Sequence, residues 1–295
     1  HPLPESRYYA DLMLRELRKV IPSFLERVDR EDRGVVWSEY LQETREDTAD
    51  VVAALFPEGS IVDPSPTVRL VDFDPEGEVK MIASMMYPHS TMSEDQLERR
   101  VAGMNHEDRM AVARAYVGDR RNRRHKPGRA LERPFYRFDV LVDYGAFRDL
   151  QRHRMLSMDW QNLSPHHGYI SSPLVNAAGM GAVYEEAMER SAALYDLLVD
   201  DFPDQASYAI NLAYKIRFNM NINARSAMHL IELRTTPQGH PSYREVGQEM
   251  HRLIAEEAGH TVISEMMKFV DHTDETDLER LQSERRAQEK RQSTK

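Results

Sequence analysis

Residues 133–144 read RPFYRFDVLVDY, a run dense in aromatic and β-branched side chains that closes at Gly145. Side chains of that kind pack well on a pleated, half-buried surface, and the run is expected to be a strand. Its setting constrains the fold. TVRLVDFD (67–74) alternates like a second strand, and YKIRFNMNIN (214–223) reads as a strand or as the start of a helix. SMDWQNLS and GYISSPLV read as short strands or irregular segments. Elsewhere the apolar residues recur at helical spacing: 8–28 with Pro22 as a break, 36–56, 77–87, 105–117, 181–200 and one long helix over 241–270. GAFRDLQRHR is expected to be a short helix after Gly145, and Ser93 with Gln96 reads as a cap opening the next helix. A helix-rich chain whose few strands do not alternate regularly with helices points to α+β.

IVDPSP (61–66) is a Pro-containing connector and sets a boundary. The expected division is a helical extension over 1–62, an α+β domain over 63–272 and a charged tail over 273–295, frayed or disordered. At 295 residues and 41% hydrophobic, the chain has room for one large domain or a core with an appendage. No apolar run approaches the roughly 20 residues that span a bilayer, so no membrane partner is expected. No basic start followed by an apolar core marks a signal peptide. His1 stands where an initiator Met is usual, as in a trimmed start or a piece of a longer chain.

The absence of cysteine excludes disulfides, thiolate metal sites and a cysteine nucleophile, and fits a cytoplasmic location. A net charge of −10 argues against a nucleic-acid partner. Inside this acidic chain DRRNRRHKPGR (119–129) is a basic island able to attract phosphates, with Arg123 and Arg124 the residues to vary.

The sharpest cluster is Arg152, His153 and Arg154. Guanidinium forks suit phosphate oxygens. In a strand or turn the two arginines could share a face while His153 points elsewhere. NARSAMHLIELR (223–234) sets Arg225 and His229 one turn apart, with Arg234 at its end. If Asn223 caps that helix, its start favours anions. His125, His166, His167, His229 and His240 form no recognisable ligand spacing, so no metal is expected.

Taken in order, RHR followed by a Ser, then NARSAMHLIELR, then a His and an aromatic before a long helix resemble the flavin-dependent thymidylate synthases, the ThyX family. HKPGRALERPFYRF is similar to that family's segment of a His, a Glu and a strand. The resemblance runs from about PTVRLVDFD to residue 270 and leaves 1–62 outside. It implies a small antiparallel sheet flanked by helices, a homotetramer, and FAD as cofactor. It implies methylation of dUMP to dTMP with methylenetetrahydrofolate and NADPH as co-substrates, without an enzyme cysteine. Residue by residue, it implies that Arg152, His153, Arg154, Asn223, Arg225 and His240 contact the flavin. Arg152, Ser164 and Arg234 contact the nucleotide, and Arg234 polarises the uracil ring as the catalytic residue.

The chain departs from the family pattern at named places. Nine residues separate Arg154 from Ser164 instead of seven. Pro165, His166 and His167 replace Gly-Arg-Tyr, Ser207 stands where a phosphate-binding Arg is expected, and His229 replaces an Asn. The flavin side is therefore better kept than the nucleotide side. The alternative is a non-catalytic, degenerate repeat of the same fold with a structural role.

Overall fold

The computed structural model describes residues 3–56, 66–273 and 279–293. The elements in chain order are α1 (Pro4–Leu17), α2 (Pro22–Leu25), α3 (Val35–Leu55), β1 (Val68–Phe73), α4 (Gly77–Met86), α5 (Glu94–Ala102) and α6 (His106–Val117). Then come β2 (Phe135–Asp143), α7 (Tyr144–Leu150), β3 (Ser157–Trp160), α8 (Pro173–Ala177), α9 (Gly181–Leu198) and α10 (Pro203–Ala206). The last are β4 (Lys215–Asn223), α11 (Ala224–Arg234), α12 (Pro241–Glu256), α13 (Thr261–Glu265) and α14 (Glu279–Ser293). The architecture is α+β with a small antiparallel sheet.

The described residues fall into two compact units, bounded as His1–Pro64 with Ala193–Ala209, and Ser65–Ala192 with Ile210–Lys295. In the first unit none of the residues of α1, α2 or α3 is buried. Among the described residues no helix is long and apolar enough to cross a membrane.

The second unit is built on a four-stranded sheet of order β1-β2-β4-β3. Strands β2 and β4 pair antiparallel along their whole lengths, from Phe135 opposite Asn223 to Asp143 opposite Lys215. Because successive side chains point to opposite faces, Tyr136, Phe138, Val140 and Val142 share one face with Ile216, Phe218, Met220 and Ile222. All eight are buried. Met81, Ile82 and Met85 of α4, Met228 and Ile231 of α11, and Val246 and Met250 of α12 complete that core. Each such side chain taken from water contributes about 1.5–3 kcal/mol, so the helices are fixed on this one face.

Caps set the helix starts. Ser93 caps α5 as expected, and Gln96 bonds back to make the cap reciprocal. Asp143, the last residue of β2, accepts from Ala146 N at 2.9 Å. Asn223, the last of β4, accepts from Ser226 N at 2.9 Å. YKIRFNMNIN is thus strand, and the next helix begins at the following residue.

Two expectations are corrected. The single helix over 241–270 is broken: α12 ends at Glu256, Gly259 takes φ +69°, and α13 follows. Ala258 N and His260 N turn back to the Leu253 and Ile254 carbonyls, a termination that the left-handed glycine permits. GAFRDLQRHR is helical only through Leu150, and Gln151–Arg154 is irregular.

Candidate functional site

A cavity of about 450 Å³ opens where the end of β4 meets the start of α11. Ile222 and Asn223 form its floor. Arg225, Ser226, His229 and Leu233 form one wall, placed together by the i, i+4 spacing of α11. Arg152–Leu156 supplies a second wall, and Arg120, Arg123, Lys126, Pro127 and Glu132 a third.

Arg234 sits at the end of α11 and is largely enclosed, with 13% of its side chain exposed. Its Nε donates to His153 Nε2 at 3.0 Å, and its terminal nitrogens reach the Asp149 carboxylate at 3.4 Å and the Asp149 carbonyl. The Tyr243 ring lies 5.3 Å from the guanidinium carbon. Burial lowers the Arg234 pKa, with Arg152 adding to it and Tyr243 opposing it. Since Arg234 donates to it, His153 Nε2 is an unprotonated acceptor and the ring is neutral. Burial first, then Arg234, His229 and Arg152, pushes the His153 pKa down to about 4, which agrees with that tautomer. His229 stands edge-on to His153 at 5.8 Å, its pKa lowered by burial and then by Lys126, Arg123 and Arg234.

Carboxylates temper part of this charge. Asp149 pairs with both Arg152 and Arg234. Glu132 accepts from Arg225 at 3.1 Å and pairs with Arg129 at 3.1 Å, while Arg225 Nε holds the Pro127 carbonyl at 2.9 Å. Arg120 is bound to Glu232 by two 2.6 Å hydrogen bonds, with 3% and 0% of their side chains exposed. Arg154, Arg123 and Lys126 make no side-chain ion pair among the described residues. Cationic forks beside apolar walls from Leu156, Ile222, Met228 and Leu233 suit an anionic ligand that carries a flat ring.

Of the residues singled out in the sequence, Arg152, His153, Arg154, Asn223, Arg225 and Arg234 all line this cavity. The segment is a turn followed by irregular chain, and all three consecutive residues line the one space. Ser164 and His240 do not line it. Ser164 is buried after β3 and accepts from His166 N at 3.4 Å. His240 is exposed and caps α12, 6.3 Å from the Tyr243 ring. Ser207 belongs to the other compact unit, its hydroxyl donating to the Asp204 carbonyl at 3.3 Å. Sequence reading missed Asp149 and Glu232 and covered Arg120 only within the basic island. A buried Arg–Glu pair 112 residues apart leaves no local pattern. Within the basic island the cavity takes Arg123 and Lys126, not Arg124. Among the described residues no group of three or more His, Asp or Glu could hold a metal ion.

Residues 69–259 match the family model described as thymidylate synthase complementing protein. A UPF0159 protein of Chlamydia pneumoniae is 38% identical over 288 residues, covering 97% of this chain and 53% of the relative. The chain thus spans about half the length of the curated relatives it matches. Among solved structures, the UMP/dUMP methylase PolB from Streptomyces cacaoi bound with 5-Br dUMP superposes with a TM-score of 0.52. It is 18% identical, over 71% of this chain and 97% of that one. Thymidylate synthase X from Helicobacter pylori, solved with FAD and dUMP, gives 0.49 at 17% identity, over 68% and 99%. The antiparallel sheet, the RHR and NARSAMHLIELR segments and the family match agree, and the chain belongs to the thymidylate synthase complementing protein, or ThyX, family.

Proposed function

We propose that this chain is a flavin-dependent thymidylate synthase module that methylates dUMP to dTMP with methylenetetrahydrofolate and NADPH. The observation that carries the reading is the convergence of Arg152, His153, Arg154, Asn223, Arg225 and Arg234 on one cavity. The donor set fits FAD: Arg152, Arg154 and Arg225 suit its phosphates, and Leu156, Met228 and Leu233 suit a ring face. The chemistry a flavin supplies when bound is hydride transfer from NADPH towards the methylated pyrimidine.

The chain's own residues do the rest. Neutral His153 and Asp149 fix the Arg234 guanidinium from two sides. A guanidinium fixed in advance stabilises negative charge on a uracil oxygen without reorganising. The uridine-nucleotide class is supported by the solved methylase of this fold with 5-Br dUMP. In the same reading the catalytic domain is 63–272, with a helical extension over 1–62 and a charged tail over 273–295, acting as a cytoplasmic homotetramer. Light scattering checks the assembly.

The test is an absorbance titration of the purified chain with FAD, then with dUMP. A protein-bound flavin band that dUMP perturbs is the expected result. A folded chain that takes up no flavin refutes the reading. One set of observations favours a second reading, a non-catalytic module: Ser164 and His240 both stand outside the cavity. Flavin binding with no dUMP-dependent NADPH oxidation supports that alternative.

A further inference from the structure

Arg120 points inward from the basic loop that follows α6. Besides its bidentate pair with Glu232, it donates to the His125 carbonyl at 2.7 Å and the Arg123 carbonyl at 3.3 Å. The loop backbone is therefore wrapped around one buried guanidinium. That wrapping brings Arg123 and Lys126 to line the cavity, while Arg121 and Arg124 do not line it. The carboxylate that lines this wall, Glu132, is already taken by Arg225 and Arg129. Two cations of this loop thus join Arg154 in lining the cavity without an ion pair among the described residues.

We infer that Arg123 and Lys126 form a phosphate subsite, held in position by the buried Arg120–Glu232 pair, that takes the phosphate or pyrophosphate group of the cavity's ligand. Arg offers a planar fork for two oxygens and Lys a point charge, and together they satisfy adjacent phosphoryl oxygens. The subsite supplies fixed positive charge in a chain that has Ser207 and His166 where the family pattern carries arginines. It rests on the flavin and nucleotide reading only for what carries the phosphate.

The probe is inorganic pyrophosphate, titrated calorimetrically into the full chain, followed by FAD and riboflavin read by flavin fluorescence. The wild type binds pyrophosphate, and R123Q/K126Q weakens it by about tenfold or more, as expected for lost charge-assisted hydrogen bonds. FAD weakens with it, while riboflavin, which has no phosphate, is unchanged. R121Q/R124Q removes the same charge from the same loop outside the cavity and stays within about twofold of wild type. The inference is overturned if the wild type does not bind pyrophosphate, if R123Q/K126Q binds it like wild type, or if the control loses as much. If pyrophosphate binds and is lost in R123Q/K126Q while neither FAD nor dUMP binds the wild type, the subsite stands and the flavin reading fails.

Discussion

Replacing Glu232 with Gln leaves Arg120 as a buried cation without its counter-ion. Removing one partner of a buried pair costs about 3–5 kcal/mol. Arg120 keeps the His125, Arg123 and Met266 carbonyls at 2.7, 3.3 and 3.5 Å, and the Phe269 ring 5.2 Å away. Gln can still accept from one guanidinium nitrogen. The loss therefore falls at the low end, about 3 kcal/mol, and lowers Tm by about 6–12 °C for a folded unit of this size. Circular dichroism melts at pH 7 measure it, alongside pyrophosphate titration at a temperature where both proteins are folded. Removing both charges, as R120M/E232L, recovers much of the stability because no ion is stranded. It does not restore pyrophosphate binding, because methionine cannot gather the loop carbonyls. An E232Q protein that melts within about 2 °C of wild type refutes the argument that this pair is a buried anchor.

Three further outcomes follow from the same geometry. His153 has a folded pKa of about 4, below the ordinary value of about 6.5, so its contribution is fully present above pH 6.5 and is lost as pH falls towards 4; melting temperatures of wild type relative to H153Q should decline across that window, and a constant difference contradicts the burial argument. Tyr136→Phe deletes the hydroxyl 2.8 Å from His260 Nδ1, both groups being buried, and should cost about 1–3 kcal/mol in urea melts; no change would mean that His260 finds another partner. Ser93→Ala removes the reciprocal cap of α5 and should cost about 1 kcal/mol, whereas S93D should keep most of it.

How far the sequence speaks depends on the range of the interaction. The strands at 68–73 and 135–143 were legible because alternation and β-branched or aromatic content are local properties of a half-buried strand, whereas 215–223 stood open between strand and helix. The caps at Ser93 and Asn223 were legible because a cap is satisfied within three residues. The long helix over 241–270 was misjudged because its apolar periodicity continues across Gly259, and one left-handed residue outweighs that periodicity. Six site residues reached the cavity from motifs alone. Asp149 lies only three residues from Arg152, yet nothing local shows that it also holds Arg234, 85 residues away.

The two central strands run into their helices with no intervening loop: β2 ends at Asp143 and α7 starts at Tyr144, while β4 ends at Asn223 and α11 starts at Ala224. In each case the last strand residue is also the helix cap. Floor and principal wall are thus one continuous piece, and hinging between them would break the cap and strip the core face of β4. Adaptation to a ligand falls to the side chains of the other two walls, the basic loop anchored by Arg120 and Gln151–Leu156 held through His153 and Arg234. Amide exchange should register a ligand in those two segments while β4 and the first turn of α11 stay protected with or without it.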